Sequence, residues 1–242
     1  MRNQENKMKF ISKFSMLGAV LAFSVFASAS TIQLGSYATG TSAMGNGNTA
    51  VSGLSTVPGF AYNNGQPSFA LSSSNTVNLT STGNTWAEAL PNSSWVSYAQ
   101  TGPDSNPFVD TPDGNYFFNS TFDIGTTSTP GDANGYINVY ADDTAAVFLN
   151  GHQLNLPTGD SFPHCSTGTP SCLGPATYIS LNSDYFVSGI NMLTFQVRQA
   201  NDANFGLDFS GTVSTVPEPS SLILLGSGLL GSAGVLMRKM RA

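Results

Sequence analysis

The side chains best suited to bind a metal ion are aspartates grouped in two places. Asp110 and Asp113 lie in the oxygen-rich segment D-T-P-D-G-N, and Asp142 and Asp143 stand together just before an apolar stretch. Ca²⁺ takes about six to eight oxygen ligands, so either group could supply part of a structural calcium site. Neither group has EF-hand spacing, and such aspartates also hydrogen-bond their own turns. Two interpretations therefore stay open: a calcium site, or turn capping with no cofactor required.

The two cysteines form a second candidate group. Six residues separate Cys165 from Cys172, in a segment that contains prolines and glycines. In an exported protein this spacing predicts a disulfide, which would contribute on the order of 2–3 kcal/mol. A zinc site that adds His152 and His164 is the alternative, although the spacing matches no familiar zinc pattern.

Catalysis has little support. His152 and His164 are the chain's only histidines, and no G-x-S-x-G elbow occurs. Glycoside hydrolysis needs two placed carboxylates, and an acidic chain offers such pairs by chance. We therefore predict that the protein is not an enzyme, and a polysaccharide hydrolase is the least favoured alternative.

Aromatic side chains offer a different chemistry, the stacking of sugar rings. Trp86, Trp95 and Tyr140 are candidate glycan contacts, since aromatic faces attract positively polarised groups. Packing in a hydrophobic core is the alternative for both tryptophans. The sequence leaves the two interpretations open.

Charge is distributed very unevenly along the chain. Between residues 30 and 215 there are twelve acidic residues and one basic residue, Arg198, which gives a net charge of about −11. Such a surface repels polyanions, so no nucleic-acid partner is expected. We predict that Arg198 pairs with Asp143 or Asp208, or that it holds the carboxylate of a glycan as a further candidate contact.

The first basic cluster indicates an export signal. Four basic residues precede an apolar run over residues 16–27, and Ala27-Ser28-Ala29 supplies the small-x-small pattern that signal peptidase cleaves. This pattern predicts a signal peptide over residues 1–29 and export from the cytoplasm.

The chain's last segment combines three features over residues 216–242. They are Pro217, Glu218 and Pro219; an apolar run over residues 222–237; and the basic tail Arg238, Lys239 and Arg241. The run predicts a transmembrane helix slightly shorter than a bilayer core, with the basic tail on the cytoplasmic side. Together the three features resemble the PEP-CTERM sorting signal. The resemblance implies a Gram-negative bacterium that makes exopolysaccharide, and processing by an exosortase.

Period-two alternation of apolar residues predicts β-strands through the middle of the chain. The predicted strands are 116–124, 135–141, 145–150, 191–198 and 205–213, with weaker candidates at 68–72, 76–79, 95–99 and 177–181. Segment 30–102 predicts loops with one or two extra strands. We predict one all-β domain over residues 30–215, an antiparallel β-sandwich that is jelly-roll-like.

Two segments carry a resemblance to galactose-binding-like jelly rolls. Residues 143–151 match the hairpin pattern D-x-x-x-V-x-L-N-G, and residues 189–197 match G-x-N-x-L-x-F-x-V. Residues 206–209 resemble the closing strand of those modules. The resemblance concerns the fold more than any ligand, because one fold hosts many sites.

These patterns together predict an exported protein with an inner-membrane intermediate and a final place at the cell surface or in the extracellular matrix. Its expected partners are signal peptidase, exosortase, the membrane before processing, and exopolysaccharide. A non-catalytic structural or adhesion component is the favoured function, and a carbohydrate-binding module is the alternative.

Overall fold

The computed structural model describes residues 30–40, 50–52, 75–79, 85–126, 128, 130–157, 169–200, 204–215, 228 and 231. The chain divides into two compact units: Ala29–Val216, and a second formed by Met1–Ser28 with Pro217–Ala242. The predicted signal peptide, the Pro-Glu-Pro segment and the basic tail lie outside the described residues, as does the predicted transmembrane segment except Gly228 and Gly231. In the described part of the chain no helix is long and apolar enough to cross a membrane.

The described part of the central unit contains β-strands and two short 3₁₀ turns, joined by loops. The strands are β1 (Ser30–Gly35), β2 (Ala50–Ser52), β3 (Val77–Asn78), β4 (Val96–Ser97), β5 (Gly114–Asp123), β6 (Asn134–Asp142), β7 (Thr144–Leu149), β8 (His152–Gln153), β9 (Thr177–Leu181), β10 (Ile190–Gln199) and β11 (Gly206–Thr215). The 3₁₀ turns are Pro130–Asp132 and Ser183–Tyr185. All strand pairs are antiparallel, which confirms the predicted all-β class with antiparallel sheets.

The strand predictions are incomplete in the N-terminal part. The weak candidates at 76–79 and 95–99 are confirmed by β3 and β4, whereas β1 and β2 were not predicted. One or two extra strands were expected over residues 30–102, and the described residues of that range contain four. Three of these are only two or three residues long, which makes them hard to distinguish from loop by a single-sequence pattern. The weak candidate at 68–72 lies outside the described residues.

The strands form two sheets. The six-stranded sheet has the order β3-β4-β11-β6-β9, with β1 also paired to β11. The five-stranded sheet has the order β2-β5-β10-β7-β8. The chain changes sheets from β5 to β6, from β6 to β7, from β9 to β10 and from β10 to β11. Strands that are distant in sequence therefore become neighbours in a sheet.

One hydrophobic core takes side chains from both sheets. In β10 the alternating residues Leu193, Phe195 and Val197 are fully buried in it, and β11 contributes Leu207 and Phe209. Rings from the two sheets touch directly, since Phe195 and Phe209 stack with centroids 4.4 Å apart. Strand alternation therefore directs the odd-numbered residues of β10 and β11 inward and their neighbours to the outer faces.

The two sequence patterns that resemble galactose-binding-like modules meet at one hairpin. Asn150 and Gly151 both have positive φ, 51° and 83°, as a two-residue type I′ turn requires between β7 and β8. The Asn150 amide donates to the Asn191 side-chain oxygen and to the Tyr185 carbonyl, each at 2.8 Å. Asn191 in turn donates to the Val187 carbonyl. The asparagines of the two patterns thus hold the hairpin to the start of β10.

Candidate functional site

A second, smaller hydrophobic cluster covers part of the outer face of the six-stranded sheet. Residues 85–95, named here the covering segment, run between β3 and β4 and lie over β6 and β11. Its anchors include a backbone hydrogen bond from Ala87 to the Cys172 carbonyl and one from Ser94 to the Ser36 carbonyl. The buried members of the cluster are Leu79, Trp86, Trp95, Tyr140 and Cys172.

The two tryptophans and Tyr140 form a buried aromatic stack inside this cluster. Trp86 and Trp95 lie with ring centroids 4.3 Å apart, and Trp95 and Tyr140 lie 5.8 Å apart. Trp86 is 3% exposed and Trp95 is 1% exposed. The Trp95 indole also donates to the Ala87 carbonyl at 3.0 Å. This burial favours packing over sugar stacking, because neither indole presents a face to solvent.

Asp142, at the end of β6, is a buried carboxylate held by the covering segment. The Trp86 indole N–H donates to Asp142 Oδ2 at 2.8 Å. Burial raises the pKa of Asp142 well above its usual value, and the charge of the neighbouring Asp143 raises it further. The Trp86 hydrogen bond acts in the opposite direction because it stabilises the ionised form.

Asp208, on the outer face of β11, is a second buried carboxylate beneath the covering segment. Its Oδ2 accepts the Leu90 backbone N–H at 2.7 Å, and its Oδ1 accepts the Ser36 hydroxyl at 2.9 Å. Burial raises the pKa of Asp208 to about 6, while hydrogen bonds from Ser93, Leu90 and Ser36 lower it. Both buried carboxylates therefore accept hydrogen bonds from the covering segment and hold it to the sheet.

The raised pKa of Asp208 predicts a stability that increases as the pH falls. In the unfolded chain an aspartate titrates near pH 3.9. Between that value and about 6 the folded protein binds more protons than the unfolded chain. Lowering the pH from 7 to 4 should therefore add about 2–3 kcal/mol from this residue to the free energy of unfolding, and the gain is lost again as the pH rises through 6.

Urea titrations at pH 7, 5.5 and 4 measure this effect. Asp208→Asn should make the free energy of unfolding depend less on pH and leave only the part of that dependence that comes from Asp142. Asp132→Asn, at an exposed position, should show the same pH dependence as the wild type. An Asp208→Asn variant with the wild-type pH slope would contradict the assignment.

The candidate calcium ligands come together only in part. Asp113 precedes Gly114, which pairs with Gln199 of β10. Asp143 precedes Thr144, which pairs with Arg198 of the same strand. The two predicted clusters thus reach the same end of the five-stranded sheet, on opposite sides of β10. Among the described residues no group of three or more His, Cys, Asp or Glu side chains could hold a metal ion. Calcium at Asp110, Asp113, Asp142 and Asp143 stays a prediction.

Arg198 lies on the face of β10 opposite the core, and it is only 6% exposed. Its backbone carbonyl accepts the Asp143 N–H at 2.8 Å, so Asp143 is its close neighbour. Asp208 belongs to the other sheet and is bound to Ser36 and Leu90. Of the two partners expected for Arg198, Asp143 therefore lies beside it, whereas Asp208 lies in the other sheet and is not its partner.

Cys172 is fully buried in the second cluster. Its predicted disulfide partner, Cys165, lies outside the described residues, and so does His164 of the alternative zinc site. His152 is exposed and stacks on Tyr185 with centroids 4.4 Å apart. The disulfide between Cys165 and Cys172 stays a prediction.

The structure also shows an exposed aromatic pair that the sequence reasoning missed. Tyr136 of β6 and Tyr178 of β9 are 37% and 62% exposed, and their rings stack with centroids 5.3 Å apart. They come from strands about forty residues apart in sequence that pair in the sheet. The alternation of Tyr136 with Ile137 indicated an outward ring, but nothing local indicated its partner.

Comparisons with known proteins add one specific match. The PEP-CTERM protein-sorting motif matches residues 215–240. No curated protein sequence matches the chain. Among solved structures the chain is similar to an exo-β-1,3-galactanase from Phanerochaete chrysosporium, crystallised with β-1,3-galactotriose, at 14% identity and a TM-score of 0.27. That alignment covers 57% of this chain and 26% of the galactanase chain, and at this TM-score it supports no conclusion about fold or activity.

The motif match lies where the Pro-Glu-Pro segment, the apolar run and the basic tail follow one another in the sequence. The motif is the recognition signal for an exosortase, and it indicates an exported protein that is processed at the membrane. Residues 215–240 therefore identify this chain as a protein that carries a PEP-CTERM protein-sorting motif.

Proposed function

We propose that the protein is a non-catalytic structural or adhesion component of the extracellular matrix, associated with exopolysaccharide after exosortase processing. The observation that carries the proposal is the sorting motif at residues 215–240, which follows an antiparallel β-domain directly. The acidity of that domain supports the proposal, since a net charge of about −11 suits a hydrated coat or a neutral glycan better than a polyanionic partner.

The sorting step is tested by Glu218→Ala in the bacterium that makes the protein. Exported wild-type protein should lack the residues beyond the cleavage point, and the intact mass should also report signal-peptide removal and the two-dalton loss from a disulfide. The Glu218→Ala variant should keep its C-terminal tail and remain with the membrane, because the protease would no longer recognise the segment. Glu88→Ala, at an exposed position of the β-domain, is the matched control and should be processed normally. Wild-type release of the Glu218→Ala protein would contradict the assignment.

The matrix role is tested separately by fractionation. Processed protein should sediment with extracellular polysaccharide, and cells that lack the gene should form a less cohesive matrix. Protein that is found free in the medium, together with an unchanged matrix in its absence, would overturn the structural role while leaving the sorting step intact.

A further inference from the structure

The outer face of the six-stranded sheet has an open part beside the part that the covering segment occupies. Its side chains follow the register of β9, β6, β11 and β1: Ser180 lies opposite Tyr136, Tyr136 opposite Thr212, and Thr212 opposite Gln33. In the next row Tyr178 lies opposite Asn138. With neighbouring strands about 4.8 Å apart, these four strands span roughly 14 Å. The face is therefore wide enough for a short oligosaccharide.

The aromatic pair supplies the apolar part of this face. Tyr136 and Tyr178 lie nearly parallel, with an angle of 22° between their ring planes. Most other aromatic rings of the described residues are buried in one of the two clusters or packed against them, whereas Tyr178 is 62% exposed. Tyrosine offers a large rigid contact area with few rotatable bonds, which makes it effective in recognition. Its ring face is negative and attracts the C–H groups on one side of a pyranose ring.

Hydrogen-bonding side chains without charge surround the pair. Asn138 and Thr212 are half-buried, and Ser180 and Gln33 are exposed. Amide and hydroxyl groups can both donate to and accept from sugar hydroxyls. None of these positions carries a charged side chain, although the domain as a whole is strongly acidic. An anionic polymer would be repelled by the domain and would find no cation on this face.

We infer that this face, built on Tyr136, Tyr178, Asn138, Ser180, Thr212 and Gln33, binds a neutral polysaccharide. The inference rests on the proposed matrix role and names the partner class of that role: uncharged glycan chains, with pyranose rings stacked on the tyrosine pair. Binding uses a preformed sheet surface, so no conformational change is required. The buried stack of Trp86, Trp95 and Tyr140 supports the covering segment and does not touch the ligand.

The inference is tested by calorimetric titration of the exported protein with three probes: laminarihexaose and cellohexaose, which are neutral, and hexagalacturonate, which is anionic. A neutral probe should bind, and hexagalacturonate should not. The double variant Tyr136→Ala with Tyr178→Ala should weaken binding about tenfold or more, since aromatic anchors dominate such interfaces. Phe108→Ala removes another exposed aromatic ring and should leave the affinity unchanged.

Three outcomes would overturn the inference: no binding of either neutral probe, tighter binding of hexagalacturonate, or unchanged affinity in the double variant. A fourth outcome is self-association: the wild type would sediment as a dimer and the double variant as a monomer. The face would then join two copies of the chain instead of binding a glycan. Failure of the matrix role is distinguishable, because protein that binds a neutral hexasaccharide in solution but does not sediment with the matrix overturns only the proposed function.

Discussion

Replacing Trp95 by alanine should lower the free energy of unfolding by about 3–5 kcal/mol, the range for large aromatic side chains removed from a core. The indole is 1% exposed, and it stacks on both Trp86 and Tyr140. Its N–H also holds the Ala87 carbonyl, so the covering segment loses an anchor together with its packing. Since a domain of this kind has about 5–15 kcal/mol in total, much of its stability would disappear.

Urea titration at fixed pH measures the Trp95→Ala effect. Trp95→Phe keeps most of the packing but loses the hydrogen bond. Its free energy of unfolding should therefore lie between those of the wild type and Trp95→Ala. Phe108→Ala, at an exposed ring, should change the free energy by less than about 0.5 kcal/mol. Unchanged stability in Trp95→Ala, combined with weaker glycan binding, would restore the sugar-stacking interpretation of this ring.

Replacing Gly211 by alanine should destabilise the domain by about 3 kcal/mol or more, because the added methyl group would collide with backbone rather than with a flexible side chain. A Cβ at this position would overlap the Tyr136 carbonyl oxygen and would lie 2.7 Å from the Ile137 Cα. Gly211 pairs with Ile137 in the middle of the β11–β6 ladder, so relief requires the two strands to separate.

Gly131→Ala is the matched control, since a Cβ there meets nothing within 4 Å. It should leave the unfolding midpoint nearly unchanged, whereas Gly211→Ala should lower it strongly or prevent accumulation of folded protein. Equal midpoints for the two variants would contradict the close approach of β6 and β11.

The patterns that the sequence alone determined are local ones. Alternation in residues 191–198 and 205–213 predicted β10 and β11 and their core faces, because side-chain direction in a strand depends only on position along it. The Asn150-Gly151 turn was predictable because both residues tolerate positive φ. The sorting motif was readable for the same reason: its proline, apolar and basic parts are contiguous in the chain.

Only the tertiary structure decided which outward-facing residues stay exposed. The pattern placed Asp208 opposite the core, but the covering segment buries it and gives it Ser36 and Leu90 as partners instead of Arg198. The same coverage buries Trp86 and Trp95, while Tyr136 and Tyr178 remain open and adjacent. Burial and pairing depend on contacts between segments far apart in sequence, and these are set by the order of strands in the sheets rather than by any local period.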